Sequence, residues 1–115
     1  GWGYLSLEVL KRLKFNSAIN RKQFSLLATD YAQGMVNSTE SLLRCYCREN
    51  DLHLNLLECK VMDACEPNLP AESISHLGCM FGVMFFPQLD VALSSLRIAL
   101  RTNGIAMFSS WQHSD

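Results

Sequence analysis

The stretch "SLLATDYAQGMV", residues 25–36, decides how this chain is read. It passes from a short apolar run into a single acid, Asp30, and then into a helix-like segment. A chain needing only a turn could place Gly or Asn there. An acid at the carboxyl edge of a buried strand suits a different task, because open α/β sheets bind polar ligands at the carboxyl ends of their strands. The competing reading makes Asp30 the N-cap of the following helix.

The flanking patterns extend this start into an alternating order. Residues 4–13 carry Leu5, Val9, Leu10 and Leu13 at helical spacing, and a polar insertion fills 16–23. Residues 24–29 read as a buried strand. Residues 33–49 place Met35, Leu42, Leu43 and Tyr46 on one helical face, leaving Arg44, Arg48 and Glu49 in water. "LHLNLLECKVM", 52–62, reads as a strand, and "DACEPNLPA", 63–71, with its two prolines, as a surface loop. Residues 77–86 are apolar nearly throughout, which predicts a strand covered on both faces. A helix is expected over 90–101, where Leu89, Ala92, Leu93, Leu96, Ala99 and Leu100 recur at helical spacing. Asp90 lies near its start and Arg97 and Arg101 near its end, as the helix dipole favours. Asn103 and Gly104 supply its stop, and 105–109 form a last strand. Strands alternating with helices in this way predict an α/β fold, a mainly parallel, doubly wound sheet with helices on both faces. Asp30 and Asp63 both fall at strand carboxyl ends.

Composition bounds the function. With 115 residues, 49% of them hydrophobic, the chain is one domain or part of one and folds around a core. Ten basic residues against eleven acidic ones, with no block of like charge, argue against an electrostatic nucleic-acid or membrane-surface binder. The longest apolar run is about half the ~20 residues a membrane span needs, and no basic-then-apolar leader opens the chain. A soluble cytoplasmic protein is expected. The five cysteines, Cys45, Cys47, Cys59, Cys65 and Cys79, form no CxxC pair and read as reduced core fillers, with no metal site.

The opening "GWGYLS" sets two glycines before a helix, where backbone N–H groups can approach an anionic ligand. A chain start that happens to hold two glycines is the plainer reading. Asp30 after the next strand agrees with the first, since nucleotide-binding folds put an acid there for ribose hydroxyls.

Taken together, "LLATDYAQGMV", "VMDACEPNLP" and "CMFGVMFFPQLDVALSSLRIALRTNGIAMFSSW" resemble the successive motifs of class I S-adenosylmethionine-dependent methyltransferases, especially the branch containing the ubiquinone and menaquinone biosynthesis enzymes. The resemblance covers almost the whole chain in order, and residues 81–87, "FGVMFFP", are its most specific part. It implies a Rossmann-like fold, S-adenosylmethionine as cofactor and a small-molecule methyl acceptor as partner. Gly1 and Gly3 would end the cofactor loop. Asp30 would take the ribose hydroxyls, with Tyr31 and Met35 near the adenine. Asp63 would accept from the adenine amino group beside the Ala64 backbone, and Cys79, Met80 and Phe81 would end the strand where cofactor and acceptor meet. Phe85 and Phe86 read as core.

The departures from the family pattern shape the expectation further. The family's first strand, central in its sheet between the second and fourth, would precede Gly1, and its closing strands would follow Trp111. The chain therefore reads as a partial methyltransferase domain over 1–115, incomplete at the first and closing strands and inactive alone. Methyl transfer from a sulfonium needs mainly proximity and orientation, so no catalytic residue is assigned, and His53, His76 and His113 take ordinary roles. A non-catalytic module keeping the same fold is the alternative. A nicotinamide-dependent oxidoreductase would want Gly or Ala where Ser6 stands, and would leave Asp63, Ala64 and Phe81 without a task.

Overall fold

The apolar residues of the first half recur at two periods, and each period becomes an element. The computed structural model describes residues 3–16, 21–80 and 88–109 and divides into two compact units, the first ending at Met62 and the second beginning at Asp63. In the first unit, α1 (Tyr4–Phe15) buries Leu10 and Leu13. After a short 3-10 turn (Arg21–Gln23) comes β1 (Ser25–Asp30), then α2 (Gln33–Glu49) and β2 (Leu56–Val61). α2 has the bounds its periodicity predicts, and Val36, Thr39 and Leu43 form its buried stripe while Arg44, Arg48 and Glu49 are exposed. β1 and β2 pair in parallel from Ser25 opposite Leu56 to Asp30 opposite Val61. This is a βαβ unit, the connection parallel strands require.

Leu10, Leu13, Ala28, Leu43 and Leu52 make the core of this unit, with Leu7, Phe24, Leu26, Tyr46, Cys47 and Cys59 packed against it. Leu10 and Leu43 are fully buried, each worth about 1.5–3 kcal/mol by transfer from water. β1 is less covered than its apolar sequence predicts: Ala28 is buried, whereas Leu26 and Leu27 are half-buried.

β2 begins four residues later than the alternation from Leu52 suggests, because Leu52 serves a helix end. Asp51 takes the left-handed conformation (φ 50°), the Leu52 N–H donates to the Cys47 carbonyl at 2.9 Å, and the Asp51 N–H donates to Arg48 at 3.4 Å. That is the Schellman closure of α2, in which the residue after the turn buries its side chain. Leu52 is 4% exposed.

The second unit holds the loop from Asp63, β3 (Ile74–Met80), α3 (Leu89–Ala99) and β4 (Leu100–Ser109). β3 and β4 are parallel, and His76 to Met80 face Ile105 to Ser109 in register, so the predicted last strand is where the sequence puts it. β3 starts at Ile74, earlier than predicted, and Ile74, Leu77 and Cys79 are half-buried rather than covered on both faces. Residues 81–87, including Phe81, Phe85 and Phe86, lie outside the described residues, as do Gly1 and Trp111.

The predicted end of α3 is corrected. The helix stops at Ala99, not Arg101, and Asn103 and Gly104 do not form its stop. The Glu72 and Ser73 N–H groups donate to the carbonyls of Ile98 and Ala99 at 3.0 and 2.9 Å, which are the acceptors a further helical turn would have used. The chain leaves the helix as strand. Asn103 and Gly104 instead lie in an excursion of β4: Leu100 faces Ile74, Ile105 faces His76, and residues 101–104 fall between them.

Candidate functional site

Asp30 ends β1, and its geometry joins the two readings of that acid. Its carboxylate Oδ1 accepts the Ala32 N–H at 2.9 Å, closing an Asx turn between strand and helix. The N-cap of α2 is Ala32, and no side chain caps the helix. Asp30 is therefore a turn former at the strand's carboxyl edge and not the N-cap. Burial alone would push its carboxyl up; hydrogen bonds, those from the Ala32 and Tyr31 backbone N–H groups among them, outweigh this and hold it below the ordinary carboxylate value. It is an ionised acceptor at neutral pH. Tyr31 is 77% exposed, and Met35 is half-buried in the first turn of α2.

Gly3 precedes α1 with φ 87°, and a Cβ there would lie 2.8 Å from Thr39 Cγ2 and 2.9 Å from its Oγ1. Thr39 is buried in α2. Glycine is thus required both for backbone conformation and for the approach of α1 to α2, a packing reason beside the ligand reason its spacing suggests.

In the second unit Asp63 repeats the turn of Asp30. Its Oδ1 accepts the Cys65 N–H at 2.9 Å, and its carbonyl accepts the Glu66 N–H at 2.9 Å. Ala64 is half-buried at the tip of this turn. The turn is tied to α3 at two points: the Ser95 hydroxyl donates to the Cys65 carbonyl at 3.1 Å, and the Cys65 thiol donates to the Gln88 carbonyl at 3.6 Å. Sequence spacing carried no signal for Ser95, because the contact joins residues thirty positions apart. Cys79 is half-buried on β3, Met80 ends that strand, and Phe81 falls outside the described residues. The structure thus groups Asp30, Tyr31 and Met35 at one strand–helix junction, and separately builds Asp63 and Ala64 into one pinned turn.

The concavity along α2, about 490 Å³, is lined by Asn37, Glu40, Ser41, Arg44 and Arg48 and by none of the predicted site residues. Arg44 is held there by Glu40 at 2.9 Å and by the Leu57 carbonyl at 3.2 Å. It is a solvated helix face. Among the described residues, no three His, Cys, Asp or Glu side chains group to hold a metal ion, and no helix is long and apolar enough to cross a membrane.

No family model matches the chain, and no curated protein does. Solved structures do. The chain is similar to the MccD protein, with 17% identity and a TM-score of 0.60 over 88% of this chain. It is also similar to the YcgJ protein from Bacillus subtilis, with 14% identity and a TM-score of 0.63 over 91% of this chain. It spans only 51% and 50% of those two chains. The chain has half of a Rossmann-like α/β fold, the fold it shares with these two structures. Within this fold, parallel strands alternate with helices as the sequence predicts, and Asp30 ends β1.

Proposed function

We propose that the chain is part of an S-adenosylmethionine-dependent methyltransferase domain, the part that recognises the adenosine end of the cofactor. The observation that carries this is the β1–α2–β2 unit closed by an ionised Asp30 at the carboxyl end of β1. An ionised carboxylate fits ribose hydroxyls because it only accepts hydrogen bonds and they can donate two. Tyr31 and Met35 offer apolar surface to the adenine from the same junction. Asp63, oriented by its turn, accepts from the adenine amino group, with the Ala64 backbone beside it. Gly3 faces the methionine end, and the end of β3 at Cys79 lies toward the side where a small-molecule acceptor meets the methyl group.

When bound, the cofactor supplies the sulfonium methyl that is transferred. This chain's residues hold and orient it, and positioning supplies the rate. Because the chain spans only about half of the two similar structures, residues 1–115 are proposed as a partial domain, lacking the family's first strand ahead of Gly1. S-adenosylhomocysteine titrated into a protein containing that strand, with and without Asp30→Asn, tests the assignment. Unchanged affinity in a folded variant refutes it.

A further inference from the structure

We propose that Asn103 is a site of spontaneous covalent modification, converting to aspartate and isoaspartate through attack by its own neighbour. Of the asparagines in this chain, only Asn103 is followed by glycine. The chemistry needs the backbone nitrogen of the next residue to reach the side-chain carbonyl carbon, and a glycine offers no Cβ to shield that nitrogen. The Gly104 nitrogen bonds to Asn103 Cγ, the Cγ–Nδ2 bond breaks, and the displaced nitrogen leaves as ammonia with the Gly104 amide proton. The resulting five-membered succinimide is opened by water at either carbonyl. Opening at one gives aspartate, and at the other an isoaspartate whose backbone runs through the side chain. No electrons are exchanged, and water is the only co-reactant.

The fold favours this at Asn103. Residues 101–104 form the excursion that lacks partners on β3, since pairing passes from Ile74–Leu100 to His76–Ile105. Asn103 is exposed and takes φ 65°, a conformation that Asn tolerates better than most residues. Gly104 is fixed by crowding: a Cβ there would lie 2.8 Å from the Arg101 carbonyl oxygen and from Leu100 Cγ and Cδ1. The turn that needs Asn followed by Gly therefore builds in the reactive pair. Asn37, also exposed but held within α2, is the internal comparison. Conversion adds a carboxylate beside Thr102, whose hydroxyl donates to Glu72 at 2.8 Å, and isoaspartate lengthens the excursion by one backbone carbon.

The test incubates the folded chain at mildly alkaline pH in heavy-oxygen water, then maps it by tryptic digestion and mass spectrometry. The peptide beginning at Thr102 should gain the amide-to-acid mass shift with heavy oxygen incorporated, split into two chromatographic forms, and convert several times faster than the peptide containing Asn37. Asn103→Gly, which keeps the turn's conformation, should abolish the shift. If Asn103 stays an amide in the folded chain while a urea-unfolded sample converts, the fold protects this pair and the proposal is overturned. Equal rates at Asn103 and Asn37 overturn it as well.

Discussion

The Asp30 carboxylate accepts the Ala32 N–H at 2.9 Å, so the acid that ends β1 also shapes the entry to α2. Turn and ligand roles can be separated by substitution. Asp30→Asn keeps an oxygen for Ala32 but removes the charge, whereas Asp30→Ala removes both. Both variants should lose adenosyl affinity by roughly ten- to a hundredfold, the worth of a charge-assisted bond of about 1.5–3 kcal/mol. Both should melt earlier than wild type at neutral pH, the alanine variant more so. Because the native carboxyl lies below its ordinary value, its stabilisation is complete above that ordinary value and is lost as pH falls through the lower native one. An acid titration of wild type against Asp30→Asn should show that difference disappearing.

Asp63 invites the same comparison in the other unit. Asp63→Asn preserves the acceptor for Cys65 and should leave the unfolding midpoint unchanged, while the adenosyl ligand weakens. Asp63→Ala opens the turn. Hydrogen exchange should then quicken at the Cys65 and Glu66 amides, whose acceptors are Asp63 Oδ1 and the Asp63 carbonyl. Protection unchanged at both amides would show that the pins from Ser95 and Gln88 suffice without the carboxylate.

Gly3→Ala should destabilise the first unit by about 1–2 kcal/mol from the left-handed backbone alone, with further cost from the approach to Thr39. Adding Thr39→Ala removes the atoms at 2.8 and 2.9 Å but leaves Thr39's Cβ position, 3.2 Å away. Thermal melts of the double-mutant cycle should therefore show partial rescue. Complete rescue would mean that crowding, and not backbone conformation, selects glycine.

Cys47 and Cys59 pack against the core, and burial pushes both thiols above their ordinary value. They stay neutral at physiological pH, so both should react with a disulfide reagent more slowly than an unfolded control. Native groups with raised values bind protons that the unfolded chain has already released. Stability is therefore full below the ordinary thiol value and falls as pH rises through the native one. Chemical denaturation across that range should show the decline, and replacing both thiols with alanine should flatten it.

Where local spacing and burial agree, the sequence is readable. The periodicity of 33–49 marked α2 to its bounds, and the apolar run ending at Asp30 marked β1, because local spacing and burial point the same way there. Leu52 misled because an apolar residue that closes a Schellman motif looks like the first residue of an alternating strand. The end of α3 was hidden since the donors that halt it, Glu72 and Ser73, come from a distant segment. Thr39 against Gly3, and Ser95 on the Asp63 turn, are likewise contacts between elements, and no spacing within one element encodes them.

The central claim is that this half of a Rossmann-like fold recognises an adenosyl cofactor through Asp30. The most direct measurement is isothermal titration of S-adenosylhomocysteine, with nicotinamide dinucleotide in parallel, into residues 1–115 and into the same chain carrying a further β-strand ahead of Gly1. The account predicts saturable heat with S-adenosylhomocysteine for the extended chain, weak or absent heat for the short one, loss of the signal in Asp30→Asn, and none with the dinucleotide. Saturation by the dinucleotide alone, or no binding by a cooperatively folded extended chain, would contradict it.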